Sequence, residues 1–425
     1  MRVFQNACLV TVNSDFDVIE NGTIATEGTK ITYVGPHRDF PGAETVDCSG
    51  KMIMPGFVNG HIHMPMTFFR GYSDDMNLQD WLNNRIFPLE AKHTADTQYH
   101  GALLAAAELT RTGTTTVNDM YLDGEQVARA LKEAGLSGTV STCVMSVFPD
   151  VEDRFRSALE LAERYKNDPD IRTAIAPHAE YTCSPKDLRY WGEMAVATGQ
   201  PIHIHCSETR TEHEECIERH GMTPVELFES LGMMEAKMLL AHCVWITERD
   251  MDIIKAHNAS VLHNPCSNLK LASGMAPVPR MLEKGIGVSL STDGAASNNT
   301  LDLWEAMRFT ALIEKANYLD PLVMNARTSL YIATRGSALA LGYDDRGSLE
   351  EGLRADFIVV DLDTPAMAIP TNMINLIVYS GNSRDIVMTV AGGEIVYDHG
   401  EYRKLDIERV CRQARDDFEN IFRDR

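Results

Sequence analysis

The stretch Met54-Pro55-Gly56-Phe57-Val58-Asn59-Gly60-His61-Ile62-His63 is an apolar, β-prone run that ends on two histidines two residues apart. Side chains alternate along a strand, so His61 and His63 leave the same face together. Seven further runs of the same kind follow, centred on 114–120, 138–145, 172–178, 201–208, 238–242, 260–263 and 287–293. Between them lie stretches of helical periodicity, among them 97–112, 151–165 and 223–231. Strands apolar along their whole length are what a parallel sheet covered on both faces requires. The expected fold is α/β, a (β/α)8 TIM barrel. No repeat of solenoid period and no low-complexity tract competes with it.

The two ends of the chain read differently from the middle. Ala7-Cys8-Leu9-Val10-Thr11-Val12 and Lys30-Ile31-Thr32-Tyr33-Val34-Gly35 are short strands separated by turns such as Glu20-Asn21-Gly22. Ala355-Asp356-Phe357-Ile358-Val359-Val360-Asp361, Asp385-Ile386-Val387-Met388-Thr389-Val390 and Gly393-Glu394-Ile395-Val396-Tyr397 repeat that pattern at the far end. Residues 1–54 and 346–425 are therefore expected to build one small β-sandwich domain around a catalytic barrel of residues 55–345. Ile407, Val410, Cys411, Ala414, Phe418 and Ile421 fall at helical spacing, which predicts an amphipathic final helix packed on that sandwich.

Composition narrows the function classes. The formal charge is −22 over 425 residues, with no compensating basic cluster, which argues against nucleic-acid or anionic-membrane binding. No apolar run approaches the roughly 20 residues of a membrane helix. Met1-Arg2-Val3-Phe4-Gln5-Asn6 lacks the features of a signal peptide. The nine cysteines are odd in number and none shows zinc-finger or redox spacing, so reduced thiols in a cytoplasm are expected.

The chemistry gathers at strand ends. An isolated His-x-His is as often a pair of satisfied core histidines as a site. Here other runs also end on polar groups: His178, His205, His242 and Asp293. Packing does not ask for that, and active sites of such barrels collect at the C-terminal ends of strands. Burying so many ionisable groups together is costly unless an ion or hydrogen bonds offset it. Three imidazoles and a carboxylate form a plausible shell for one divalent zinc or iron ion, with a position left for water. Glu208, three residues after His205, lies where it can lean over that water, although most glutamates on loops are merely solvated. His203 is in line with His205 but one layer deeper, and is expected to be structural. His263 is left out of the site. Cys206 and Cys243 flank site histidines but should face away from them. The middle strand carries His178 rather than a bridging lysine, which favours one metal over two.

Assembled, the residues resemble the amidohydrolase superfamily and, more narrowly, the 5′-methylthioadenosine/S-adenosylhomocysteine deaminase family. The similarity runs through Pro55–His63, Phe87-Pro88-Leu89-Glu90, Ala176-Pro177-His178, His205-Cys206-Ser207-Glu208, Ala241-His242-Cys243-Val244, His263-Asn264-Pro265-Cys266-Ser267-Asn268-Leu269-Lys270 and Thr292-Asp293-Gly294-Ala295-Ala296-Ser297-Asn298-Asn299. The resemblance implies that His61, His63, His205 and Asp293 hold the metal, zinc before iron. It implies that Glu208 shuttles protons, His242 orients the hydroxide, and Asp293 takes a proton as the intermediate collapses. Glu90 would grip the ribose hydroxyls, His178 the purine–ribose end, and Arg154 would face the 5′ substituent. The implied reaction is removal of the 6-amino group of an adenine nucleoside as ammonia. Barrel enzymes of this sort often pair subunits, so a homo-oligomer of unspecified number is expected.

Two positions depart from the family. Ser141-Thr142-Cys143 lacks a second arginine expected near the third strand, and Glu180 follows His178-Ala179. One guanidinium fewer weakens the grip on an amino-acid carboxylate, so S-adenosylhomocysteine should be a poorer substrate than nucleosides with small 5′ groups. The rival readings are a deaminase or chlorohydrolase of guanine, another free base or a triazine, against which Glu90 argues, and a non-catalytic metal- or ligand-binding barrel, which would not need Glu208.

Overall fold

The computed structural model describes residues 1–423. Strands Arg2–Val10, Val18–Glu27, Lys30–Pro36, Glu44–Asp47 and Lys51–Pro55 join Phe357–Asp361, Ile386–Ala391, Glu394–Asp398 and Glu401–Tyr402 in one nine-stranded sheet. The two ends of the chain meet in the antiparallel pair of Lys51–Pro55 with Phe357–Asp361, where Ile53 faces Val359. Alternate residues of these strands, including Phe4, Leu9, Ile24, Ile53, Phe357, Val359 and Val390, share one apolar core. The rings of Phe4 and Phe357 meet edge to face at 4.9 Å. The strands of both chain ends thus form one continuous hydrogen-bonded sheet with a shared apolar core.

The sequence run 54–63 divides at Gly56. Its first residues end the strand Lys51–Pro55 of the terminal sheet, and Phe57–Ile62 begins the barrel. A Cβ on Gly56 would stand 2.5 Å from the Thr115 side chain, so the chain can turn there only without one.

Phe57–Ile62, Thr114–Asp119, Ser137–Val140 and Ile171–Thr173 pair in parallel in that order. The third and fourth positions continue, after a break, as the parallel pair Cys143–Val144 with Ala176–Pro177. Ile202–Cys206, Met238–His242, Ser260–His263 and Gly287–Leu290 form the other parallel group. A bridge from Ile175 to Ile202 joins the two groups on one side. On the other side, Asn59 Nδ2 donates to Thr292 Oγ1 at 2.7 Å, and the Asp293 N–H donates to the His61 carbonyl at 3.0 Å. Eight parallel strand positions thus close into the barrel. Every residue of Phe57–Ile62, Thr114–Asp119, Ile202–Cys206 and Met238–His242 is buried, as strands covered on both faces must be.

Helices Ala95–Arg111, Val151–Tyr165 and Pro224–Ser230 fill three of the expected helical stretches. The first and third start at Thr94 and Thr223, whose hydroxyls accept from the N3 backbone while the N3 side chain returns the bond. Short helices Met64–Phe69, Leu78–Trp81, Leu82–Ile86 and Phe87–Glu90 follow the first strand and cover the barrel mouth.

The final helix, Ile407–Phe422, packs where the barrel helices meet the terminal sheet. Val410, Ala414, Ile421 and Phe422 join the apolar cluster of Ala95–Arg111 and Gly124–Ala134 on the barrel's outer wall, not the core of the terminal sheet. His100 Nδ1 lies 2.6 Å from Asp417 Oδ2 across this contact. Ala391 and Val396 of the terminal sheet join the same cluster, so the helix covers an apolar flank shared by the barrel helices and the sheet. Among the described residues no helix is long and apolar enough to cross a membrane.

Candidate active site

Four strand ends and the loops after them bring the candidate metal ligands, Glu208 and His242 to one mouth of the barrel. His61 and His63 come from the first strand end, His205 and Glu208 from the fifth, His242 from the sixth and Asp293 from the eighth. The backbone is strained there: Ser207, His242, Cys243 and Asp293 have φ of 48°, 73°, 48° and 63°. Non-glycine residues hold such angles only where their surroundings enforce them, and such sites cluster at functional centres.

Hydrogen bonds fix the ring tautomers. His63 Nδ1 faces the Met120 carbonyl, and His205 Nδ1 lies 2.7 Å from the His178 carbonyl. A carbonyl can only accept, so both Nδ1 atoms carry the proton and both Nε2 atoms present bare lone pairs. Those two Nε2 atoms nevertheless face one another at 3.4 Å. His61 Nδ1 meets His203 Nε2 at 2.7 Å, which turns His61 Nε2 toward the same point, buried and, among the described residues, without a hydrogen-bond partner. Asp293 Oδ1 is 3.4 Å from His61 Nε2 and 3.3 Å from His63 Nε2. Facing lone pairs repel unless a cation lies between them. Two atoms each about 2.0–2.1 Å from a common tetrahedral centre would lie roughly 3.3–3.4 Å apart, which is the spacing seen here. His61, His63, His205 and Asp293 therefore fit one divalent metal ion. His242 also approaches within the same cluster as His61 and Asp293.

The protonation states agree with that role. Burial pushes His61 down to about 3 and lowers His63 and His205, which leaves neutral imidazoles. Burial opposes ionisation of Asp293, but the adjacent rings of His61 and His63, with Nε2 atoms 3.4 and 3.3 Å from Oδ1, hold its carboxyl well below the usual range. Asp293 Oδ2 accepts from Ser267 Oγ at 2.6 Å and Ser297 Oγ at 2.8 Å, which orients the carboxylate. His242 Nδ1 pairs with Asn268 Oδ1 at 2.8 Å, and its Nε2 lies 3.7 Å from Glu208 Oε2. Burial raises the Glu208 carboxyl above its ordinary range. Such a carboxyl holds a proton more readily and gives it up within the site.

The pocket above this cluster has about 640 Å³ of free space, open mouth included. His63, His205, His242, Asp293 and Glu208 form its floor. Glu90 and His178 line its wall. Burial pushes the Glu90 carboxyl up to about 7, against the Tyr121 hydroxyl and the Arg154 guanidinium. Arg154 is near Glu90 but is not part of the lining; its Nε donates to Asp150 Oδ2 at 2.8 Å on the rim. Glu180 turns away from the pocket and meets Arg219 at 2.5 Å, while Tyr181 takes the lining position. His203 lies in the deeper layer, where it orients His61. Cys206 and Cys243 belong to the apolar cluster outside the strands.

Sequence reasoning missed Tyr121, Tyr181 and the apolar cover of Leu78, Trp81, Leu82 and Ile86. The last four are spaced as one face of a helix, so the helix itself was legible; that it closes the barrel mouth was not.

The amidohydrolase family model matches residues 52–396. A Syntrophobacter fumaroxidans protein named 5-methylthioadenosine/S-adenosylhomocysteine deaminase is 41% identical over 420 residues, 96% of each chain. A Methanosarcina barkeri protein named 5′-deoxyadenosine deaminase is 38% identical, over 99% of this chain and 98% of its own. The crystal structure of an adenosine deaminase from Xanthomonas campestris with bound zinc superimposes with a TM-score of 0.95 at 31% identity, covering 99% of this chain and 98% of that one. The chain belongs to the amidohydrolase family and, within it, to the 5′-methylthioadenosine/S-adenosylhomocysteine deaminase family.

Proposed function

We propose that the protein hydrolytically removes the 6-amino group of an adenine nucleoside, with water as nucleophile, giving the 6-oxopurine nucleoside and ammonia. The observation that carries the reading is the raised Glu208 carboxyl, 3.7 Å from His242, over a cluster of neutral imidazole lone pairs and one carboxylate in the pocket at the barrel mouth. His61, His63, His205 and Asp293 would hold one divalent ion. That ion supplies Lewis acidity, which brings the pKa of water towards about 7. Zinc is the first choice, because three nitrogens and one oxygen suit it and the similar Xanthomonas deaminase carries it; iron is the second.

The side chains divide the remaining work. Glu208 takes a proton from the attacking water and delivers it to the purine ring nitrogen next to the amine-bearing carbon. His242, held through Asn268, directs the water and stabilises developing charge. Asp293 accepts the second proton as the intermediate collapses, and that proton passes to the departing amino group, which leaves as ammonia. Glu90, when ionised, accepts from the ribose hydroxyls, and His178 flanks the purine–ribose junction. The 5′ end of the nucleoside would meet Met120, Leu122, Cys143 and Met145, an apolar wall with Arg154 as the nearby guanidinium. That wall supports 5′-deoxyadenosine, 5′-methylthioadenosine and adenosine as better substrates than S-adenosylhomocysteine. The reading places the enzyme in the cytoplasm, as a homo-oligomer, with its nine thiols unbridged.

An ammonia-release screen across these nucleosides and guanine, with metal analysis of the same sample, tests the reading. Release from adenine nucleosides, abolished by chelation and restored by zinc, is expected. Ammonia release from guanine alone, or chloride release from a chlorotriazine without ammonia release from any adenine nucleoside, would overturn it.

A further inference from the structure

Glu208 is held only loosely through its own side chain. Among the described residues, its one hydrogen bond to a side chain is from Ser273 Oγ, at 3.4 Å. Its position is therefore set by the backbone that carries it, and that backbone is unusual. Ser207 has φ of 48°, a left-handed conformation that a serine does not hold unaided.

The structure shows what holds it. Helix Arg210–His220 begins with Thr209 as N-cap and Glu212 at N3, an arrangement in which the glutamate ordinarily returns to the N-cap N–H. Here the Thr209 N–H is the longest of Glu212's bonds, at 3.5 Å. The Ser207 N–H donates to Glu212 Oε1 at 2.8 Å, and the Glu208 N–H to Oε2 at 2.7 Å. The carboxylate thus sits in a nest of successive N–H groups ahead of the helix. The Ser207 carbonyl in turn accepts from the N–H groups of Val244 and Trp245, at 3.0 and 2.9 Å, just past His242. Glu212 is 2% exposed, so the bonds it makes are not shared with bulk water.

We propose that Glu212 is a positioning residue that clamps the 207–208 backbone and so sets the Glu208 carboxyl against His242 and the substrate ring. The proposal rests on the reading of Glu208 as the proton carrier. A helix cap alone needs the Thr209 bond; the two shorter bonds serve the loop.

Glu212→Gln keeps the size but turns an amide NH2 toward one of the two N–H groups. kcat should fall about tenfold to a hundredfold, with KM changed by less than about twofold and metal content unchanged, as for a misplaced reacting group. In a Glu208→Gln background the same substitution should cost no further turnover, because the group it positions is gone. A purely structural role would instead lower kcat in both backgrounds. Amide hydrogen exchange over 207–209 should quicken in Glu212→Gln while the barrel strands stay protected. If Glu212→Gln does not fold, Glu212→Asp, which keeps the charge but falls one methylene short, should show the same split. Unchanged kcat, or unchanged exchange at 207–209, overturns the proposal. A wild-type enzyme that releases no ammonia from any adenine nucleoside refutes the functional reading instead, and the exchange measurement then decides the clamp by itself.

Discussion

Gly60→Ala probes how tightly the barrel seam controls the site. Gly60 lies on the first strand, one residue before His61, where that strand meets the eighth. A Cβ there would stand 2.1 Å from Ser289 Oγ, 2.7 Å from Ser289 Cβ and 2.7 Å from Ser291 Oγ. Ser289 cannot simply withdraw, because its hydroxyl is bonded to Ser337 Oγ at 2.7 Å, and Ser337 also accepts from the Leu290 N–H. Overpacking of this kind costs about 1–3 kcal/mol, and loss of a buried hydrogen bond adds about 1 kcal/mol. At about 2 °C per kcal/mol for a large chain, Tm should drop by roughly 4–8 °C. The first strand also carries His61 and His63, and the eighth leads to Asp293, so spreading the seam separates metal ligands. Metal affinity, read by chelator competition, should weaken about 10–100-fold. Ser289→Gly in the same chain removes the nearest obstructing atoms and should restore part of both losses, since the two sites are in contact. A Gly60→Ala protein with wild-type Tm and full metal occupancy would refute the claim that close approach at this glycine closes the barrel.

Glu208→Gln should keep its metal by elemental analysis yet lose about 10²–10⁴ in kcat, the usual worth of a general acid–base group. Glu90 titrates at about 7, so its carboxylate form, the one that accepts from ribose, is lost as pH falls through 7. kcat/KM should decline below that pH, and Glu90→Gln should flatten that limb. The linked stability effect has the opposite sense. The native state holds a proton on Glu90 between its ordinary 4.5 and about 7, so stability falls as pH rises across that window, and Glu90→Gln should raise Tm above pH 7 but not below 4.5. Arg154→Ala should raise KM for S-adenosylhomocysteine about tenfold while leaving 5′-deoxyadenosine unchanged, because only the former brings a carboxylate to the guanidinium. Removing the ion with a chelator should lower Tm as well as activity, since an ion bound only by the native state stabilises it.

The barrel was legible because its strands are buried on both faces, which writes an unbroken apolar run such as Met238–His242 into the chain. The candidate ligands were legible because each ends such a run. The wall of the pocket was less so. Glu180 and Tyr181 are neighbours in a loop without periodicity, and nothing in their order says that the tyrosine lines the pocket while the glutamate pairs with Arg219. His203 was recognised as the deeper residue, but its contact with His61 joins the fifth strand to the first. The final helix shows its apolar stripe in the sequence, yet the surface it covers is set by which other faces remain unburied.

By itself, then, the chain's order of residues determined periodicity: which segments are strands, which are helices, and which side chains leave a strand end together. Those depend on local geometry, repeated every two or 3.6 residues. Only the closed tertiary structure decided which lone pairs face one another at 3.4 Å, which carboxylate grips the 207–208 backbone, and which rings line the pocket. Those are contacts between residues tens to hundreds of positions apart or within aperiodic loops, and they are settled by packing and burial when the barrel closes, where no repeat in the chain announces them.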